Sequence, residues 1–232
     1  MNHWIHESAS TLVPLLPLPG CVLFPGVVLP IHIFEARYRA MVEAVVDRED
    51  GEPLIAMALL CRNYEPLYET KQAPIHSTVC LGRVVEHVKL SEGPHQIMLL
   101  GCSRALVVDE DHTRPFRRAS LEAVPTRDDL DAVDREATTS TLRAMLYRTD
   151  PAITPALFDR LIAEGATLPR LIDLLSYYLL GPKDCDLKQR ILEEPAVSVR
   201  AQILTRRLRR SVESSLRARD RSMNWPPLPS PN

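Results

Sequence analysis

The chain has 232 residues, 45% of them hydrophobic and 25% charged, with a formal net charge of −2. This mix belongs to a folded globular protein of one or two domains, and it excludes a chain disordered throughout, a coiled-coil rod and a collagen-like fibre. Charge is uneven: residues 1–125 carry 11 basic and 15 acidic side chains, 126–199 carry 9 and 13, and 200–232 carry 8 and 2, whereas a bulk nucleic-acid binder is basic across its main domain.

Residues 1–11 are polar, lack a basic leader region and are read as a flexible N-terminus. The apolar stretch Leu12–Phe34 holds five prolines, which neither a membrane helix nor a signal segment carries, so a protein that is not exported and has no membrane partner is expected. From Leu12 to Pro125 the pattern is strand-like. Prolines force Leu12–Leu18 to be extended, Gly20 and Pro25-Gly26 mark turns, and Val27–Ile33, bounded by prolines, suits an edge strand. One helix is predicted from Phe34 to about Asp47, where Phe34, Tyr38, Met41 and Val45 recur at helical spacing and Glu35 and Arg39 stand at i and i+4. Short strands follow at Leu54–Cys61, Thr78–Leu90, Gln96–Leu100, Arg104–Asp109 and Arg117–Val124, with Gly101 at a strand–turn–strand junction. The fold class is α+β: a curved sheet or pseudo-barrel with one packed helix over 12–125, then an all-helical lobe. Helices are predicted over 127–147, 155–164, 168–180 and 184–193, and a long basic helix closes the helical lobe of 126–220. The Pro-rich tail, 221–232, reads as disordered.

Little in this chain carries catalytic chemistry. Its eight glycines form neither a P-loop nor a G-x-G-x-x-G turn. Gly101-Cys102-Ser103-Arg104-Ala105 falls short of a nucleophile elbow at its fifth position, and none of the four lysines lies in an apolar run that would lower its pKa. Cys80 with His76 or His87, and Cys102 with His95, are read as buried small side chains beside loop histidines rather than thiol dyads. The five cysteines are odd in number and widely spaced, without C-x-x-C. They suit a reducing cytoplasm rather than a disulfide framework or a zinc site, and no metal or cofactor is expected. Arg206, Arg207, Arg209 and Arg210 are candidate polyanion contacts, but without interleaved aromatics a solvated helix face is the favoured reading.

Three consecutive motifs, Leu15-Leu16-Pro17-Leu18, Val22-Leu23-Phe24-Pro25-Gly26 and Leu29-Pro30-Ile31-His32-Ile33-Phe34-Glu35-Ala36-Arg37-Tyr38, together resemble the opening of the Lon protease N-terminal, substrate-binding domain family. Gly82 in Val79–Val84, Gly101 with Arg104, Ala119–Glu122 and Leu187–Glu193 are similar to later family motifs, and the resemblance runs from about Leu12 to Leu208. It implies a PUA-like β-rich N-lobe and a helical C-lobe. It also implies a stand-alone, non-catalytic module without ATPase or peptidase, recognising unfolded or apolar polypeptide segments or serving as an adaptor to a protease or chaperone. The alternative is an RNA-binding PUA-like protein using the basic C-terminal helix, and a thiol or metal hydrolase ranks third. Phe24, Pro25, Gly26, Phe34, Glu35, Arg37, Tyr38, Gly82, Gly101 and Arg104 are then fold-defining, with Phe24, Phe34 and Tyr38 expected in the core and Glu35 and Arg37 tying loop to helix. A peptide is expected in an apolar groove or on an unpaired strand edge, at Pro30, Ile31, Ile33, Met57 and Leu59.

Overall fold

The computed structural model describes residues 12–48, 51–91, 93–149 and 154–223; the expected flexible N-terminus lies outside them, and of the tail expected to be disordered from 221, residues 221–223 instead continue the last helix while the rest lies outside the described residues. Two compact units divide the chain, one of residues 1–127 and 172–195, the other of 128–171 and 196–232.

The first unit is built on six strands, β1 (Val13–Leu18), β2 (Val28–Ile33), β3 (Leu54–Leu59), β4 (Thr78–Lys89), β5 (His95–Asp111) and β6 (Arg118–Ala123), with helix α1 (Ala36–Val46) after β2. The sheet order is β2-β5-β4-β3-β1-β6, and β5 also pairs with β6. Pairing therefore closes on itself through β5-β4-β3-β1-β6, while β2 lies outside this ring along the first part of β5. The ring is not a regular barrel. β1 and β3 run parallel, with Leu15 opposite Ala56, and register shifts interrupt β4–β5 and β5–β6, raising local twist where the strands bend.

Alternation along the strands fills the ring. Val13, Leu15, Ala56, Ala58, Val79, Leu81, Ala105, Ala119 and Leu121 form one buried cluster, the alanines keeping a tight interior from overpacking. Leu16, Ile55 and Met57 point the other way and are buried too, so β1 and β3 read as continuous apolar runs rather than alternating ones. Each such large side chain contributes about 1.5–3 kcal/mol on burial.

One strand differs from expectation. The two short strands predicted over 96–109 are a single strand, β5, that runs through Gly101 without a turn. A Cβ at Gly101 would stand 2.1 Å from the Phe24 carbonyl oxygen, and the Gly101 N–H donates to Val27 O at 2.8 Å. The glycine admits a crossing backbone, a reason local sequence does not distinguish from a turn.

The remaining helices are α2 (Ala132–Thr149), α3 (Thr154–Ala163), α4 (Leu168–Leu179), α5 (Cys185–Glu193) and α6 (Val197–Met223). The helical half of the chain is not one compact body, because α5 and most of α4 group with the strands. Gln189 donates to the Thr78 carbonyl (2.9 Å), and Arg104 on β5 meets Asp173 on α4. In the second unit Leu142, Leu146, Phe158, Leu204, Leu208 and Val212 are buried, on the helical spacing that marks one apolar stripe per helix.

Candidate functional site: an exposed apolar sheet face

Among the described residues β2 pairs with β5 alone, Val28 opposite Leu100 and Ile33 opposite His95, which leaves its other edge without a strand partner. Pro30 has no N–H to donate. The bond from Gly101 N–H to Val27 O fixes the alternation, which turns the backbone of Val28, Pro30 and His32 toward the free edge. That edge offers carbonyls at all three residues and N–H donors only at Val28 and His32. The proline blunts it against indiscriminate pairing.

The same residues place side chains on the outer face of the sheet. Val28 is 39% exposed, and Pro30 and His32 are exposed while Ile33 is buried. Their partners Leu100 and Met98 are half-buried and pair in turn with Arg83 and Glu86 of β4, while Val88, opposite Gln96, is exposed. Phe34 stands just past the end of β2 and is 71% exposed. Phe34 is thus not a core residue, a correction to its expected role. Its neighbours Ile33 and Tyr38 take the inward positions, and the helical period that assigned it to the core begins only at Ala36.

Polar ties fix the position of Phe34. The Tyr68 hydroxyl donates to Glu35 Oε1 at 2.6 Å, and Arg37 donates through Nε to Glu35 Oε2 at 2.8 Å. The Arg37 guanidinium lies over the Tyr38 and Tyr68 rings, 4.5 and 4.8 Å from their centroids, an attraction that strengthens as water is excluded. Burial and the Glu35 carboxylate push the Tyr68 hydroxyl upward, keeping it a donor. Glu35 and Arg37 hold the 61–77 loop to the start of α1, as expected, though Tyr68 was not foreseen, and Glu35 turns to Arg37 rather than to Arg39. The signal for Tyr68 is long-range and leaves no local pattern.

Among the expected peptide contacts, Pro30 is exposed and Ile31 half-buried, whereas Met57 is 2% and Leu59 5% exposed. Ile33, Met57 and Leu59 are therefore core side chains that no ligand reaches without opening the fold. Phe24 is fully buried, and the Pro25-Gly26 turn is pinned by the Gly26 N–H donating to Gly101 O (2.8 Å). The Tyr38 hydroxyl donates to Pro17 O (3.3 Å). Gly82 lies against Leu99, whose Cγ a Cβ would approach to 2.7 Å. Arg104 is 3% exposed and donates to both Asp173 oxygens (3.0 and 2.5 Å) and to Leu192 O (3.0 Å).

The groups considered for catalysis have other partners. Burial pushes the Cys80 and Cys102 thiols up, away from the reactive thiolate. His87 and His95 bond each other at 2.9 Å, and His76 meets Glu193 at 3.1 Å. Among the described residues no three His, Cys, Asp or Glu side chains are grouped to hold a metal ion. Lys188 departs from expectation: burial pulls its pKa down, and it donates to Tyr177 O at 2.9 Å. In the second unit Arg206, Arg209 and Arg210 line an open groove of about 700 Å³ between α2 and α6, together with Asp134 and Glu213, while Arg207 bonds Ser211. The acids in its wall deny the groove the uniform positive face that a polyanion needs. No described helix is long and apolar enough to cross a membrane.

Residues 12–210 match the family model of the ATP-dependent protease La (LON) substrate-binding domain. Lon protease of Anaeromyxobacter dehalogenans is 27% identical over 210 residues, covering 89% of this chain and 24% of its own length. Lon protease 2 of Sorangium cellulosum is 29% identical, covering 87% of this chain and 25% of its own. The chain thus spans about a quarter of these relatives. Two solved structures share the fold. The N-terminal domain of the Mycobacterium avium complex Lon protease has a TM-score of 0.63 at 19% identity, covering 84% of this chain and 96% of that one. A Lon N-terminal domain protein from Xanthomonas campestris has a TM-score of 0.58 at 17% identity, with the same coverage.

Proposed function

The chain belongs to the ATP-dependent protease La (LON) substrate-binding domain family, and on that premise we propose that it is a non-catalytic module that captures unfolded or apolar polypeptide segments. The capture surface is the outer face of β2, β5 and β4 with Phe34. The observation that carries this reading is the exposure of Phe34 past one end of β2 and of Val28 and Pro30 along it, next to an edge that has no strand partner among the described residues. An extended segment adds to β2 through the Val28, Pro30 and His32 backbone, and its alternate side chains lie on Val28 and Phe34. The missing donor at Pro30 keeps main-chain affinity low, which suits a module that hands its ligand on. We assign it to the cytoplasm, as an adaptor that delivers polypeptides to a protease or chaperone.

Binding of a fluorescent, carboxymethylated and therefore permanently unfolded polypeptide, followed by anisotropy, tests this. Phe34→Ser with Val28→Ser is expected to weaken binding about tenfold or more, since each buried apolar side chain contributes about 1.5–3 kcal/mol, while melting as the native protein does. Undiminished binding by the double variant overturns the assignment to this face, and absence of binding by the native chain overturns the function.

A further inference from the structure

A second site lies in the same unit, where the start of β1, the C-terminal end of α1 and the β5–β6 connection enclose a pocket of about 460 Å³. Leu12 and Ala44 give it accessible apolar walls over buried Pro14, Val45 and Phe116, and Arg48, Arg114 and Arg118 stand around them with no acidic residue among the described lining residues. Arg118 donates to Asp111 and to Thr113 Oγ1, so its charge is already answered. Arg48 and Arg114 are exposed, and no acidic residue stands beside them among the described lining residues. The turn carrying Arg114 is fastened by Lys71, whose Nζ donates to the carbonyls of His112 (2.5 Å) and Arg114 (3.0 Å). The negative end of α1 accounts for a cation at position 48; it does not account for Arg114.

We infer that this pocket binds the C-terminal residue of a polypeptide, its α-carboxylate between Arg48 and Arg114 and its apolar side chain against Leu12 and Ala44, the accessible apolar residues of the lining. Two exposed guanidiniums without an acidic side-chain partner among the described residues call for an anion with paired acceptor oxygens, which a carboxylate presents in bidentate geometry. The apolar walls call for an apolar group on the same carbon. A C-terminal Leu, Val or Phe has both, whereas an Asp or Glu side chain lacks the apolar body. The volume falls at the small end of ligand pockets, roughly 300–1,000 Å³, enough for one or two residues and too little for a folded element. This inference rests on the polypeptide-binding reading and adds to it an end-specific contact.

The test uses fluorescein-labelled peptides ending in Ala-Leu, one with a free carboxylate and one amidated. The acid is expected to bind about tenfold more tightly, the worth of a hydrogen-bonded charge, and the preference is expected to vanish in Arg48→Gln/Arg114→Gln but persist in Phe34→Ser/Val28→Ser. Equal binding of acid and amide, or a preference that survives Arg48→Gln/Arg114→Gln, overturns the carboxylate pocket while capture of unfolded chains through Phe34 still stands. Octanoate bound through Arg48 and Arg114 without any peptide-acid preference overturns the polypeptide assignment in favour of a free apolar acid. No binding of either peptide or of the unfolded chain overturns both readings.

Discussion

Arg104 shows how one side chain can organise a unit. It is buried, both terminal nitrogens donate to Asp173, and its Nε donates to the Leu192 carbonyl. Removing one member of such a pair leaves a buried charge without its partner, which costs more than the pair itself contributes. Arg104→Ala is therefore expected to lose about 3–5 kcal/mol, measured by urea unfolding, whereas Arg104→Met with Asp173→Leu recovers most of that loss. A loss under about 1 kcal/mol in the single variant, within the range of exposed pairs, shows the pair to be dispensable. The Gly101-x-x-Arg104 motif was legible in the sequence, and Asp173 was not. The two stand 69 positions apart, and nothing local marks an aspartate on an apolar helix as the partner of a distant arginine.

At the scale of elements, most of the chain follows from periodicity and turn residues: α1, β2 as an edge, β3, β4 and β6 fall where the pattern puts them. Departures occur where tertiary contact decides. β5 continues through Gly101 because the Phe24 backbone crosses there, and Phe34 faces outward because the Glu35–Arg37–Tyr68 cluster holds the start of α1. The candidate face was only half legible, since Pro30 signals an edge whereas the burial of Met57 and Leu59 depends on both faces of β3 being covered. The junction of α1, β4 and β5 also makes stability depend on pH. His95 is buried on β5, bonded to His87 on β4 (2.9 Å) and 3.4 Å from Glu43 on α1, with Lys89 and Arg39 near. Burial first, then His87, Lys89 and Arg39, pull its pKa below the ordinary 6.5, and Glu43 opposes them. A His depressed in the folded state binds its proton more readily when unfolded. Its contribution is thus whole above pH about 6.5 and is lost as pH falls from there through the lower folded value. Urea midpoints between pH 7.5 and 5 are expected to fall in the native protein and to fall less in His95→Gln; equal slopes remove His95 as the cause.

The molecule as a whole is divided differently from a simple cut after Pro125. The strand unit takes in 172–195, and that return segment supplies Asp173, the Leu192 carbonyl, the Gln189 amide on Thr78 O and Glu193 beside His76, while Arg127 N–H donates to Pro195 O (2.9 Å). A chain ending at Arg127 keeps every strand yet leaves Arg104 without its carboxylate. That single loss, about 3–5 kcal/mol, is comparable to the whole stability of a small domain, about 5–15 kcal/mol. A chain ending at Pro195 keeps all these contacts and instead removes α6, whose Leu204, Leu208 and Val212 are buried in the second unit. The fragment 1–195 is therefore expected to retain slow amide exchange throughout β1, β3, β4, β5 and β6 while Leu142 and Leu146 on α2 lose protection, and the fragment 1–127 is expected to lose slow exchange everywhere. Equal protection of the strands in both fragments would make the β-rich segment self-sufficient and reduce α5 to a covering element. Loss in both would instead make α6 a requirement for the strand unit, and the capture face would then depend on the whole chain.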